Sequence, residues 1–531
     1  MIKTKLFIIL LFCSTAIFPQ GSEKKNPNVE LPDFVITGKD VVSLQKARKL
    51  SPDFISTISE QFIKPVFSPE DLSVKDIPNP IQNQLSLTDS QKVYGTRVSV
   101  LTGIYTSPSG DISFAQPFSS GIFMMGIDGE NHRAYIDNSE WYRINAKSNL
   151  SFYLPNKSSM QGTEINFNGN YGISAYRFYS SNNPTLKRTK YGGKFSAEIK
   201  NLVKRQFNFA LKASDRYTFL NKENFSENML RIDGYLAGDF SYFKLGSKFN
   251  YTGQFITNNL VNNGSFNFYS ALPFIQADLN NNLKIAAGIN YSKSGSNDYL
   301  APYVSAGIKL NDFVSFFTEY RPGGKFYGLG GFLEENRYFN PQNLICAFVK
   351  NTVDLNAVLK YQYFTYFEID AGIKYVKSDN MPYFVNSITS GQFDVNFSPA
   401  REYNFYTNIL FHLGPGGEFY GSAEYNDVKN LNGNVIPYQP KIKASISYGY
   451  NFDFGLYTEP KIYFNSETYA DADNSVKIDR FINLAIKFGY KFVPNFSLNA
   501  EISNILDRKN VQWNGYREAP LDLMAGFTYK W

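Results

Sequence analysis

The chain is short of the residues that most protein chemistry uses. Its 531 residues include only 2 histidines, 2 cysteines, 3 tryptophans and 7 methionines. His132 and His412 stand far apart, and neither belongs to a metal-binding spacing, so zinc hydrolysis has no support. Cys13 falls in an N-terminal leader, which leaves Cys346 alone and without an internal disulfide partner. No Gly-x-Ser-x-Gly elbow occurs. The run Gly323 to Gly331 lacks the Lys-Ser/Thr ending of a phosphate loop and reads as a flexible surface loop. Carboxylates are plentiful, but no pair is singled out. These absences argue against an enzyme and call for no metal and no cofactor.

Two other things are missing. The formal net charge is +6, and two of the cations, Lys3 and Lys5, belong to the leader. The remaining Lys and Arg are spread along the chain instead of gathered in a patch, which argues against nucleic acid as a partner. After the N-terminus, no apolar run approaches the roughly 18 residues of a membrane-spanning helix. A helical membrane protein is excluded. A β-membrane protein is not, because alternation hides its apolar face from a hydropathy window.

What the chain has is aromatic residues, 17% of the total, and a long record of alternation. Aromatic and β-branched residues suit a pleated surface. In the closing stretch Leu521, Leu523, Ala525, Phe527, Tyr529 and Trp531 alternate with Asp522, Met524, Gly526, Thr528 and Lys530. A period of two sends the first set to one face of a strand and the second to the other. Phe496, Leu498, Ala500 and Ile502 repeat the pattern, as do Val353, Leu355, Ala357, Leu359 and Tyr361. It begins near Gly95 and continues to the end. Gly391 to Leu413 reads as one long strand, bulged around Pro399.

Tight turns such as Val493-Pro494-Asn495, Asp453 and Phe364-Thr365 alternate with longer polar stretches: Asn504 to Ala519, Ser466 to Val476, Lys429 to Gln439 and Ser378 to Ser390. Short turns at one rim and long loops at the other are the layout of an outer-membrane barrel. The second face of these strands carries charge, as in Lys441 and Lys443, Lys487 and Lys491, Asp370 and Lys374. A dry core would not hold such groups unpaired, but a watered lumen would. In hydrocarbon every backbone polar group must pair, so the sheet must close. The fold class is therefore all-β: a transmembrane antiparallel β-barrel of about 20 to 22 strands over residues 95–531, in contact with outer-membrane lipid.

The first 94 residues differ. Lys3 and Lys5, the apolar stretch Leu6 to Phe18 and the exit Pro19-Gln20-Gly21 form a secretory signal peptide, residues 1–20. The apolar run is too short for an anchor, and Phe12 stands where a lipoprotein signal wants a small residue before Cys13. Residues 21–94 are rich in Pro, Ser and charge, with Pro65, Pro69, Pro78 and Pro80 interrupting any longer element. They read as an extended periplasmic or lumen segment.

Several stretches resemble TonB-dependent receptors. Glu319-Tyr320-Arg321-Pro322-Gly323, Gly328-Leu329, Asn336 and Phe339-Asn340-Pro341-Gln342 are similar to a barrel strand, an aromatic and Pro-rich loop and an Asn-Pro-Glu-like motif, with Gln342 in place of Glu. Asn504-Ile505-Leu506-Asp507-Arg508-Lys509 resembles the family's Asn-Leu-x-Asp-Lys-x element. Leu521 to Trp531 is similar to its last strand. That likeness implies an assembly signal in Phe527, Tyr529 and Trp531, read by the outer-membrane assembly machinery. Asp33, Phe34, Val35, Ile36, Thr37 and Gly38 resemble a TonB box, which would add a strand to the sheet edge of a TonB-type energy transducer. The family's plug domain does not appear: only the 56 residues Lys39 to Tyr94 separate the box from the barrel.

The resemblance implies an outer-membrane transport protein for a small solute. The alternatives are a passive porin, and a non-transporting barrel whose loops Arg321 to Asn351 and Asn504 to Ala519 bind a surface partner. A soluble secreted β-protein is the third reading.

Overall fold

Ring closure is the first feature of the computed structural model. It describes residues 95–531 apart from 155–159, 161, 202–205, 241–242, 259, 261–263, 281, 345–346, 365 and 413–416. The leader, the segment 21–94 and the box Asp33 to Gly38 lie outside the described residues. The first strand, Thr96–Gly103, pairs on one side with Thr106–Phe118 and on the other with the last strand, Asp522–Lys530. Every wall strand in between pairs antiparallel with its neighbours in the ring, giving a closed 22-stranded barrel, and two short loop hairpins stand apart from it. Val314–Tyr320 and Gly323–Tyr327 both pair with Ala347–Tyr363 and make one strand, broken at Arg321-Pro322, where proline cannot donate to the ladder.

The strands sort as their alternation requires. Ile144, Phe167, Phe195, Leu236, Phe249 and Phe527 belong to a continuous outer belt of exposed apolar side chains. Such a belt is far beyond what a water-soluble surface carries and matches the lipid-facing band of a barrel. This removes the soluble secreted reading. Phe527, Tyr529 and Trp531 all lie exposed on this outer side, with Tyr529 and Trp531 ring centroids 5.3 Å apart.

The inner face is polar, and many of its charges pair across strands. Lys147 meets Asp128 at 2.8 Å, Arg143 meets Glu130 at 2.9 Å, Lys374 meets Glu402 at 3.0 Å and Lys487 meets Glu501 at 3.5 Å. The lumen charges read from the sequence as free are therefore in part neutralised by neighbours. The period of two places opposite charges side by side wherever the register aligns them.

Between Asp111 and Asp128 the chain forms two strands, because Ser119-Ser120 turns it between Thr106–Phe118 and Gly121–His132. Two sequence boundaries are corrected. Ser378 to Ser390 is mostly strand, since Phe367–Asn386 continues past it and only 387–392 turn. The bulge near Pro399 sits on the partner strand. Ser378 pairs with Ala400 and Met381 with Ser398, so the extra residue is opposite the proline. There Asn380 fills the gap by donating to the Phe348 carbonyl at 2.6 Å and accepting from the Lys350 amide at 2.8 Å.

The seam is secured from both ends. Thr96 and Trp531 exchange both backbone hydrogen bonds at 3.0 Å. At the other end the buried Asp522 carboxylate accepts from the amides of Tyr105 and Thr106, each at 3.0 Å. A Cβ at Gly526 would run into the Val100 carbonyl, so this crossing requires glycine. Replacing Asp522 with alanine strands two amides at the seam and should cost about 2 kcal/mol or more. The midpoint of heat-modifiable gel mobility should fall; an unchanged midpoint would show that the carboxylate does not hold the seam.

Candidate functional site

The rim of long loops is closed by a segment that folds inward. After Tyr327 the chain leaves the wall and forms a short helix, Leu329–Glu335, then a turn at Pro341–Asn343. Leu329, Phe332, Leu333, Tyr338, Phe339 and Leu344 are all buried. The stretch read as a flexible surface loop is thus wall and core. Gly323–Tyr327 is strand, and the later glycines permit close approach. A Cβ at Gly330 would lie 2.6 Å from Thr218 Oγ1 and 2.9 Å from Glu227 Oε2.

Distant strands hold this segment. Glu227, fully buried in strand Phe225–Phe240, accepts the amides of Leu329 at 2.7 Å and Gly330 at 2.6 Å. Gln254 donates to the same carboxylate at 2.5 Å. Arg188, fully buried at the start of strand Lys187–Asn201, donates to the carbonyls of Phe339 at 2.8 Å and Arg337 at 3.1 Å. Its other edge pairs with Glu223 at 2.5 Å. The Tyr176 hydroxyl also donates to the Arg337 carbonyl. A buried, hydrogen-bonded ion pair is costly to break from one side.

Aromatic rings close the remaining gap. Tyr338 stacks on Tyr516, with ring centroids 3.5 Å apart and planes 14° apart. Tyr516 belongs to a small hairpin, Val511–Trp513 with Tyr516–Arg517, carried by the loop before the last strand. The Arg337 guanidinium lies 4.8 Å from the Trp141 ring centre. Burial raises the pKa of the Tyr338 phenol, which keeps it neutral and able to pack among rings.

The motifs singled out in the sequence are the joints of this closure. Asn336 and Asn340 accept from the amides of Tyr338 at 2.9 Å and Gln342 at 3.2 Å. Asn504 clamps its own loop, donating to the carbonyls of Arg508 and Ala519 at 3.0 Å each. The two loops named as surface-binding candidates, Arg321 to Asn351 and Asn504 to Ala519, meet through Tyr338 and Tyr516. Arg188, Glu223 and Glu227 were missed. In an alternating strand an inner-face charge such as Arg188 or Glu227 looks the same whether it meets water or a folded loop, and Glu223 lies in a polar turn.

Beneath the closure lies a cavity of about 1060 Å³, walled by strands from Thr106–Phe118 to Leu283–Ser294 and by Arg321 to Gly331. Lys194 reaches up to Glu334 of the helix at 2.9 Å. Burial opposes the Glu334 charge, but Arg216, Lys194 and Lys190 outweigh it and hold this carboxyl below its ordinary pKa.

No family model matches the chain, and no curated protein matches its sequence. Solved structures do. The siderophore receptor PiuA from Acinetobacter baumannii is 12% identical with a TM-score of 0.59, covering 83% of this chain and 82% of its own. The FrpB iron transporter from Neisseria meningitidis is 9% identical with a TM-score of 0.62, covering 85% and 83%. The copper transporter OprC is 12% identical with a TM-score of 0.57, covering 82% and 81%. The barrel has the fold of the TonB-dependent receptors. Among the described residues there is no plug domain. In this TonB-dependent receptor-like barrel, the inward Gly328 to Leu344 segment closes the long-loop rim.

Substituting Glu227 or Arg188 with alanine should loosen that segment before the wall. Hydrogen exchange over residues 328–344 should accelerate at least tenfold, while the seam amides stay protected. Equal acceleration at both places would mean that these residues support the whole barrel, not the closure.

Proposed function

We propose that the chain is an outer-membrane transport barrel that passes a small solute between the cell exterior and the periplasm. The observation that carries this reading is the closed, polar-lined lumen beneath a closure pinned by a few buried groups. A wall built only as scaffold has no need of charged inner positions. The likeness in fold to siderophore, iron and copper transporters supports it. In this reading the long-loop rim faces outward, the short turns and Trp531 face the periplasm, and residues 1–20 export the chain.

Energy coupling would act through Asp33 to Gly38. An extended box of this kind adds a strand to a partner's sheet edge, so its action needs only backbone access. Deleting residues 33–38 should abolish energy-dependent uptake while leaving the barrel folded. Uptake that survives the deletion selects the passive porin. A purified barrel that inserts into planar bilayers yet never conducts, even with Glu227→Ala, would select the non-transporting surface barrel.

The outer face of the last strand would serve assembly, presenting Phe527, Tyr529 and Trp531 at the chain end. Removing Trp531 and replacing Phe527 with serine should lower the heat-modifiable, assembled fraction severalfold in cells. Undiminished assembly would rule out this role.

A further inference from the structure

We propose that the cavity beneath the closure binds a small multivalent anion, bearing carboxylates or phosphates, between Lys194, Lys212, Arg216 and Arg231. The inference deepens the transport reading by naming the charge class of its solute. Eight basic side chains and three acids line the cavity, and of the eight Lys147 pairs with Asp128, Lys325 with Asp354, Lys194 with Glu334 and Arg231 with Asp233. One of the three acids, Asp215, shares a register position with Phe195 of the outer belt and so stands on the lipid side.

The placement of the cations is the stronger observation. Lys194 and Arg216 stand directly opposite each other on neighbouring strands. Like charges at facing positions destabilise a sheet, and the natural remedy is an acid between them. Only Glu334 is supplied, at 2.9 Å from Lys194, and it comes from the inward helix and not from the wall. Ser214, two residues before Arg216, faces Arg231 on the next strand. Arg231 is held by Asp233 at 2.9 Å, and Asp233 also accepts from Asn250 at 2.7 Å. Lys212 lies between Glu198 and Asp233 in register and makes no ion pair among the described residues, while Arg216 is answered by Glu334 of the inward helix and not by an acid of the wall. At Lys194, Lys212 and Arg216 the wall itself supplies no acid in ion-pair contact.

On the far side of the barrel Lys360 pairs with Glu368, Lys374 with Glu402 and Lys487 with Glu501, as Lys147 does with Asp128 and Lys325 with Asp354 at the cavity. What the wall leaves unanswered is local: Lys212, and the facing pair Lys194 and Arg216 that only Glu334 serves. Arg216 offers a planar fork suited to a carboxylate or phosphate, and the lysines add point charges. Lys212 and Arg216 are four residues apart on one strand, roughly 13 Å at 3.3 Å per residue. That span suits an anion with more than one charged group and gives chloride little advantage.

Binding is measured by calorimetry on the purified full-length chain in detergent at fixed ionic strength. Pyrophosphate and citrate are the probes, and chloride is the control. Saturable binding of pyrophosphate, citrate or both is expected, weakened at least tenfold in Lys212→Gln/Arg216→Gln and unchanged in Lys374→Gln on the far wall. Which probe binds separates phosphate from carboxylate recognition. Arg216→Lys, which keeps the charge and loses the fork, serves if the double variant loses heat-modifiable mobility, and a severalfold weakening is expected of it. No saturable binding of either probe overturns the site. So does equal weakening by Lys374→Gln, or full affinity in the Arg216 variants. Passage that fails while binding persists counts against the transport reading alone. Binding that fails while passage persists counts against this site alone.

Discussion

The pairing of backbone groups across a single seam is the constraint on which the rest depends. In hydrocarbon an open sheet edge leaves a row of amides and carbonyls with no partner, each costing several kcal/mol. The chain meets this by bringing Thr96–Gly103 against Asp522–Lys530, more than four hundred residues away in sequence. An antiparallel ring closes only with an even strand number, so the break at Arg321-Pro322 must count as one strand, not two. Asp522 at one end and the Thr96–Trp531 pair at the other hold the register. Once the ring is closed, side-chain direction is fixed: odd and even positions of each strand are committed to lipid or lumen.

That commitment explains what could be read from the chain in advance. Ile144, Phe167 and Leu498 announce a lipid face because nothing else explains large apolar residues at every second position. Alternation survives any change of neighbour, so the all-β barrel and its limits could be read from the sequence. Boundaries were less legible where alternation runs through a turn of small polar residues, as at Ser119-Ser120. They were also blurred where a turn-like composition is strand, as at Asp379 and Asn380 opposite Pro399. In both places the partner strand decides, and the partner is a property of the fold.

The closure was not legible for a different reason. Gly328 to Leu344 carries apolar residues without a period of two or a long helical period. Its partners, Glu227, Arg188 and Tyr516, come from three distant parts of the chain. The glycines suggested freedom, whereas the contacts of Gly330 with Thr218 and Glu227 show that a side chain would not fit there. The Asn-Pro and Asn-x-x-Asp-Arg motifs were visible, and they proved to be the turns that aim this loop and the Tyr516 hairpin at each other. Local chemistry could be recognised; the long-range meeting it serves could not.

The closure and the basic wall are joined by one residue. Glu334 belongs to the inward helix, and the cations that hold its charge belong to the strands. A carboxylate on the closure therefore occupies the place that the facing pair Lys194 and Arg216 offers to an anion. At the proposed site an incoming polyanion and Glu334 would compete for the same cations, so binding of one would weaken the hold of the other. Thermodynamic reciprocity would make that coupling run both ways. Against this stand Glu227 and Arg188, which grip backbone groups of the segment and are indifferent to the anion. The closure thus has two kinds of fastening. One is structural and buried, and the other is electrostatic and faces the space that a solute would enter.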